Sequence, residues 1–116
     1  MCWEGRSLDK ELLKGSTPIV VLSLLQTRPM YGYEMMKRIE ALTNGVLAFK
    51  EGTLYPILHQ LELLGYVHST WSSESGERRR KYYAITDEGQ AHLAAKRREW
   101  SQFRTAIDKV IGEEPV

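Results

Sequence analysis

Apolar positions along this chain change their spacing twice, and the changes mark off helices, a two-stranded turn and a final helix. Over residues 8–27, Leu8, Leu12, Ile19 and Leu22 fall near helical spacing. The stretch after Pro18 is apolar on nearly every side, which predicts a helix buried all round. Pro18 leaves two arrangements open. Thr17 and Pro18 open a separate helix as N-cap and first-turn proline, or Pro18 bends one longer helix. Arg28-Pro29-Met30-Tyr31-Gly32 then breaks the spacing. A second helix is predicted over 32–43, with Met36, Ile39 and Leu42 on its apolar side and Tyr33 in the core. Asn44-Gly45 ends it with residues that tolerate a left-handed backbone.

Lys50-Glu51-Gly52-Thr53 leads into a third helix, where Thr53 is the expected N-cap and Pro56 falls in the first turn. Leu54, Leu58 and Leu61 sit at i, i+4 and i+7, flanked by Ile57 and Leu64, and predict a core face; Tyr55, His59 and Glu62 repeat the spacing on the other side. Gly65 closes the helix. Residues 66–71 and 81–86 are rich in aromatic and β-branched side chains, with a polar turn at 72–77 between them, which predicts a β-hairpin. Thr86 caps a last helix reaching about residue 111, and Asp87 and Glu88 suit its positive end. In it Leu93, Trp100, Phe103, Ile107 and Val110 alternate by three and four as in a coiled-coil seam, with Lys96 at the one polar position.

The order of helix, helix, helix, hairpin, helix predicts a mainly α fold with a small β-hairpin: a winged helix-turn-helix plus a long C-terminal dimerisation helix. Residues 1–85 form the winged part and 86–112 the last helix, together one structural unit. At 116 residues, 42% hydrophobic and 27% charged, the chain suits one compact domain. Its single cysteine, Cys2, permits neither an internal disulfide nor a cysteine-based zinc site, which fits a cytoplasmic protein. The polar mixture over 1–16 does not read as a signal peptide. The longest apolar run, 19–25, is too short to cross a bilayer, so no membrane partner is expected.

A net charge of +1 hides a local concentration: Arg78, Arg79, Arg80 and Lys81 are consecutive, and Lys96, Arg97 and Arg98 form a second group. The first group falls at the hairpin. In a winged helix the third helix enters the major groove of duplex DNA and the wing lies along the backbone or minor groove. A helix N-terminus offers free N–H groups to phosphate, and Lys50, Thr53, Tyr55, Pro56 and His59 lie at or near that end. Arg78, Arg79, Arg80 and Lys81 can neutralise phosphates, though strand alternation prevents all four from pointing one way. Tyr31, in the break before the second helix, is placed to touch phosphate, whereas Trp71, Tyr82 and Tyr83 are expected to pack the wing onto the body. Neither catalysis, a metal nor a cofactor is predicted, because His59, His68 and His92 fall on different elements and the serines at 72–75 lack a nucleophile motif.

These residues resemble a family. Met30-Tyr31-Gly32-Tyr33-Glu34, then Glu51-Gly52-Thr53-Leu54-Tyr55-Pro56-Ile57-Leu58 with Leu61-Glu62 and Gly65-Tyr66, are similar to the PadR family of transcriptional regulators. Arg79-Arg80-Lys81-Tyr82-Tyr83, Ile85-Thr86 and Gly89 continue the pattern. The single long helix at the carboxyl end is similar to the compact subgroup that includes the lactococcal multidrug-responsive repressors. The resemblance implies a homodimer held by Leu8, Leu12, Leu93, Trp100, Phe103, Ile107 and Val110, and repression by binding a pseudo-palindromic operator. It also implies a pore at the dimer interface where Trp100, eleven residues after Gly89, stacks on a small planar hydrophobic or cationic ligand. Leu12, Gly15, Ile19, Leu22, Leu93, Lys96, Phe103 and Arg104 would be its walls. Pro18, Phe103 and Arg104 depart from that subgroup in size or charge, so the pore is either closed or suited to other ligands. Two rival readings remain: a winged-helix protein–protein adaptor, and a protein whose main activity is small-molecule capture.

Overall fold

A computed structural model of the chain describes residues 10–72 and 79–112, with side chains from residue 15 onward. The expectations for Leu8, Arg78 and the Leu12 side chain lie outside the described residues. The elements run α1 (Lys10–Thr27), β1 (Met30–Tyr31), α2 (Gly32–Leu42), α3 (Glu51–Leu63), β2 (Val67–Trp71), β3 (Lys81–Ile85) and α4 (Asp87–Ile111). The strands form one antiparallel sheet in the order β1-β3-β2.

α1 runs unbroken through Pro18, which resolves the two arrangements in favour of a single helix. Thr17 is therefore a buried mid-helix residue and not a cap. Pro18 removes one backbone donor, but the next turn holds the helix in place by burying Val21, Leu22, Leu24 and Leu25 in the core. β1 was not expected: two residues carry no periodicity, and the strand exists because Met30 and Tyr31 find Tyr83 and Tyr82 of β3.

In α2 the buried residues are Gly32, Met35 and Ile39. This stripe corrects the expectation for Tyr33 and Leu42, both exposed; Met36 packs only at the core margin. Asn44 and Gly45 take positive φ angles of 53° and 81° after the helix, as their residue types predict. α3 begins three residues earlier than expected. Lys50 is its N-cap, with no side-chain capping bond, and its carbonyl accepts from Thr53 N and Leu54 N at 2.9 Å each. Thr53 is thus a third helical residue, and Pro56 falls in the second turn. The carbonyl that Pro56 leaves without an amide partner belongs to Gly52, an exposed residue with open space around it, where water can reach. Leu54, Leu58 and Leu61 are buried as their spacing predicts, whereas Leu64, just past the helix end, is exposed.

The hairpin β2–β3 leads into α4 through a tight joint. Thr86 Oγ1 accepts from Gly89 N at 3.0 Å and donates to Gly65 O at 2.7 Å, while Thr86 N donates to Tyr66 O at 3.0 Å. A Cβ on Gly89 would overlap the Tyr66 carbonyl oxygen, so the first turn of α4 can lie here only with glycine. α4 then crosses α1, where Leu93 joins Leu22 in the core. Gln26 Nε2 donates to Gln90 Oε1 at 2.9 Å, and Arg97 donates to Ser23 Oγ at 3.1 Å.

Gly89→Ala should destabilise the protein by about 2 kcal/mol or more, because backbone and not a flexible side chain must yield. Gly52→Ala, at an open helical position, should leave stability unchanged or raise it by up to about 1 kcal/mol. Urea unfolding of the two variants measures both, and equal effects would show that the Gly89 contact is not limiting.

Candidate nucleic-acid interface

α3 presents its amino-terminal half to solvent beside the wing. With the Leu54–Leu58–Leu61 stripe turned inward, the 100° step per residue places Gly52, Pro56, His59 and Gln60 on the outer side, and all four are exposed. Lys50 and Thr53 are exposed at the same end. Tyr55 is 41% exposed but leans sideways: its ring and hydroxyl occupy the space where a Gly32 side chain would stand. It therefore locks the start of α2 to α3 as well as facing the interface. Burial, then Glu51 and then Tyr83, raise its pKa above the usual tyrosine value, so the phenol remains a neutral donor. Gln60, exposed at the margin of this face, was missed because periodicity alone does not separate such a residue from its neighbours, and it lies toward α1 and α4, not toward the wing.

The wing cations rest on aromatic rings. Arg80 lies 4.8 Å from the Tyr31 ring centroid and Arg79 5.2 Å from that of Trp71. Lys81 sits 5.9 Å from Trp71 and 5.6 Å from Tyr83. Arg79 and Arg80 thus diverge to different rings, in keeping with strand alternation. The bond from Ser72 N to Arg80 O, 2.7 Å, extends the hairpin past its last ladder pair. Tyr83 is buried and fixes the wing to the body, and burial followed by Glu62 raises its pKa. Tyr82 is half-buried, edge-on to Tyr31 at 5.4 Å. Trp71 corrects the packing expectation, since 54% of it is exposed. Between α3 and the wing lies a cleft of about 510 Å³ that brings together Tyr31, Tyr55, Arg79, Arg80 and Lys81 from the predicted set, with Trp71 at its edge. A neighbouring concavity adds Lys37 and Arg38 of α2, which isolated positions in the sequence gave no reason to select. Arg28 there is paired with Glu34.

A second cavity, about 470 Å³, lies among α1, the end of α3 and α4. It gathers Gly15, Ile19, Leu22, Lys96, Trp100 and Phe103 of the expected effector walls, together with Pro18. Leu93 and Arg104 are not among its lining residues; Leu93 is wholly buried in the core, which also keeps it off any exposed seam. Residues not anticipated there are Gln60, Leu61, Leu64, Tyr66, His92 and Glu99. Tyr66 and His92 stack at 4.1 Å, and Lys96 pairs with Glu99 at 3.2 Å. The seam residues Trp100 and Phe103 at the cavity, and Ile107 and Val110 beyond it, are exposed, 43% for Trp100 and 85% for Val110. Among the described residues no cluster of His, Cys, Asp or Glu could hold a metal ion, and no helix is long and apolar enough to cross a membrane.

The model of the transcriptional regulator PadR-like family matches residues 21–95, from the middle of α1 into α4. An uncharacterised protein of Lysinibacillus sphaericus is 32% identical over 98 residues, covering 84% of this chain and 90% of that protein. The structure of a transcriptional regulator from Clostridium thermocellum superposes with a TM-score of 0.80 at 36% identity, covering 85% of this chain and 96% of that one. A PadR family transcriptional regulator from Eggerthella lenta gives 0.77 at 33% identity, covering 90% and 88%. With the family model spanning more than half its length, and a winged architecture shared with these regulators, the chain belongs to the PadR-like family of transcriptional regulators, which are DNA-binding proteins and not enzymes.

Proposed function

We propose that the protein is a cytoplasmic repressor that binds a pseudo-palindromic duplex operator as a homodimer, with α3 in the major groove and the wing along the adjacent backbone. The observation that carries this reading is the cleft between α3 and the wing, where Arg79, Arg80 and Lys81 stand with Tyr55 of α3 and Tyr31 of β1. Cations held over aromatic rings are positioned before DNA arrives, so less side-chain freedom is lost on binding. The dimer reading rests on α4: an apolar stripe of Trp100, Phe103, Ile107 and Val110 exposed on a single chain costs free energy that pairing with a second copy recovers. The α1–α3–α4 cavity near Trp100 supports a small planar hydrophobic or cationic effector, and with it a kinship to the compact multidrug-responsive subgroup. Its walls include Gln60 and Leu61 of α3, so an occupant would press on the helix that faces DNA.

Salt-titrated binding to duplex from immediately upstream of the protein's own gene, with random duplex as control, tests the regulator. The wild type should prefer the upstream duplex. Arg79→Gln and Arg80→Gln should each weaken binding to all sequences and lower the salt slope by about 1; weakened binding with an unchanged slope would remove the phosphate role. Ile107→Lys combined with Val110→Glu should leave a folded monomer in sedimentation and lose operator binding, and a stable dimer would place the interface elsewhere. With Trp3 and Trp71 replaced by Phe, a planar cationic compound should quench Trp100 saturably and weaken operator binding. Trp100→Ala should abolish the release; release that persists would assign Trp100 to packing alone.

A further inference from the structure

Trp71 ends β2 and lies outside the buried core. The register pairs Trp71 with Lys81, Ser69 with Tyr83 and Val67 with Ile85, so these side chains share one side of the sheet. On that side Val67 and Tyr83 are buried in the core. Trp71 lies beyond the core on the same side and so overhangs the cleft between the wing and α3, with 54% of its surface left in water. Arg79 and Lys81 flank its ring at 5.2 Å and 5.9 Å. Among the described residues lining the cleft none is acidic, while three carry positive charge. A large apolar ring beside two cations, in a cleft whose described lining carries positive charge and no acid, suits a partner that alternates anionic and apolar groups at short intervals. A phosphodiester strand does so, with a deoxyribose between each pair of phosphates.

We propose that Trp71, Arg79 and Lys81 form a clamp on one strand of the duplex where it passes between α3 and the wing. The cations take consecutive phosphates, the indole ring covers the intervening deoxyribose, and its N–H is free to donate to a phosphate oxygen. The proposal rests on the DNA-binding reading above and adds an uncharged contact to it. The indole carries no charge, so its loss weakens binding without releasing fewer counterions. It reads no base edge, so its loss leaves the preference for operator over random duplex intact. That combination separates Trp71 from both the arginines and the exposed residues of α3.

The test uses the full chain with Trp3 and Trp100 replaced by Phe, so that Trp71 is the only fluorophore of its type. Saturating operator duplex, with binding followed independently by anisotropy of labelled DNA, should lower acrylamide quenching of Trp71 by about twofold or more, as expected for a ring covered on one face. Inorganic polyphosphate, which carries the charge without the sugar, should leave it quenchable. Trp71→Ala in the otherwise wild-type chain should bind about tenfold more weakly with an unchanged salt slope and specificity ratio, and Trp71→Phe should recover most of the loss. Circular dichroism and thermal melting establish that each variant is folded. Undiminished quenching in the bound complex, equal protection by polyphosphate, or wild-type affinity of a folded Trp71→Ala would each overturn the clamp while leaving DNA binding intact. Failure of the wild type to bind any duplex would overturn the DNA-binding reading and the clamp with it.

Discussion

The carbonyls of Gly65 and Tyr66 anchor the structure, because α3, the wing and α4 all meet there. Tyr66 N donates to Leu61 O at 2.9 Å, closing α3; the Gly65 and Tyr66 carbonyls then accept from Thr86, which caps α4. Gly65 takes a positive φ of 84°, a conformation open to glycine at little cost, and this lets the chain turn sharply from helix into strand. Gly89 lets α4 approach so closely that no side chain fits between. The joint has little room to adjust, since interiors packed at this density pass a displacement on instead of absorbing it. A shift of α4 relative to α3 must therefore be taken up by the Tyr66–His92 stack and by the cavity that these rings help to line.

Charge acts through placement and not through total. With a net charge of +1 the chain has no strong overall field, yet folding gathers Arg79, Arg80 and Lys81 at one cleft. The rings of Tyr31, Trp71 and Tyr83 limit where these cations can go. Each such contact at an exposed site contributes about 0.5–1 kcal/mol, too little to hold a side chain rigidly and enough to bias its direction. Placing Tyr31 on β1 matters for this reason. A two-residue strand paired to β3 brings an aromatic ring from before α2 beneath an arginine from the wing, which ties the helix-turn-helix to the hairpin.

Features with a long period or a specific chemical signature were legible from sequence. The Leu54–Leu58–Leu61 stripe, the Thr86 cap, the hairpin and the long last helix follow from spacing and residue type, and the structure reproduces them. What spacing could not reveal was set by contacts distant in sequence. β1 exists only because β3 is beside it. Thr53 has the chemistry of a cap, but the chain turns into helix at Lys50, where no side-chain bond is needed. Tyr33 and Met35 lie on opposite sides of α2; Gly32, packed against the Tyr55 ring, and Met35 are buried, and Tyr33 is exposed. Leu93 fits the seam arithmetic yet lies where α4 still rests on α1, so the core claims it. The α3–wing cleft was legible as a set of cations, whereas the role of Trp71 depended on knowing which side of the sheet it shares with Tyr83.

α4 has two halves with different needs. Its first half is tied down by Thr86, Gly89, Leu93 and the polar bonds to α1. From Trp100 onward the described side chains are exposed or nearly so, and the apolar ones lie along one stripe. About ten residues of helix without tertiary contacts are marginal in water, because nucleation and fraying outweigh so few backbone bonds. The stripe supplies what the backbone lacks only if something covers it, so the proposed second copy would stabilise the helix as well as the assembly. Trp100 stands at the boundary between the two halves, reaching the cavity on one side and beginning the stripe on the other. A ligand stacked there would act on the part of α4 least supported by its own chain, while touching the end of α3 through Gln60 and Leu61. If two copies pair through α4 as proposed, a weakly held helix end beside a tightly held joint would let a small occupant alter the spacing of the two α3 helices without unfolding either.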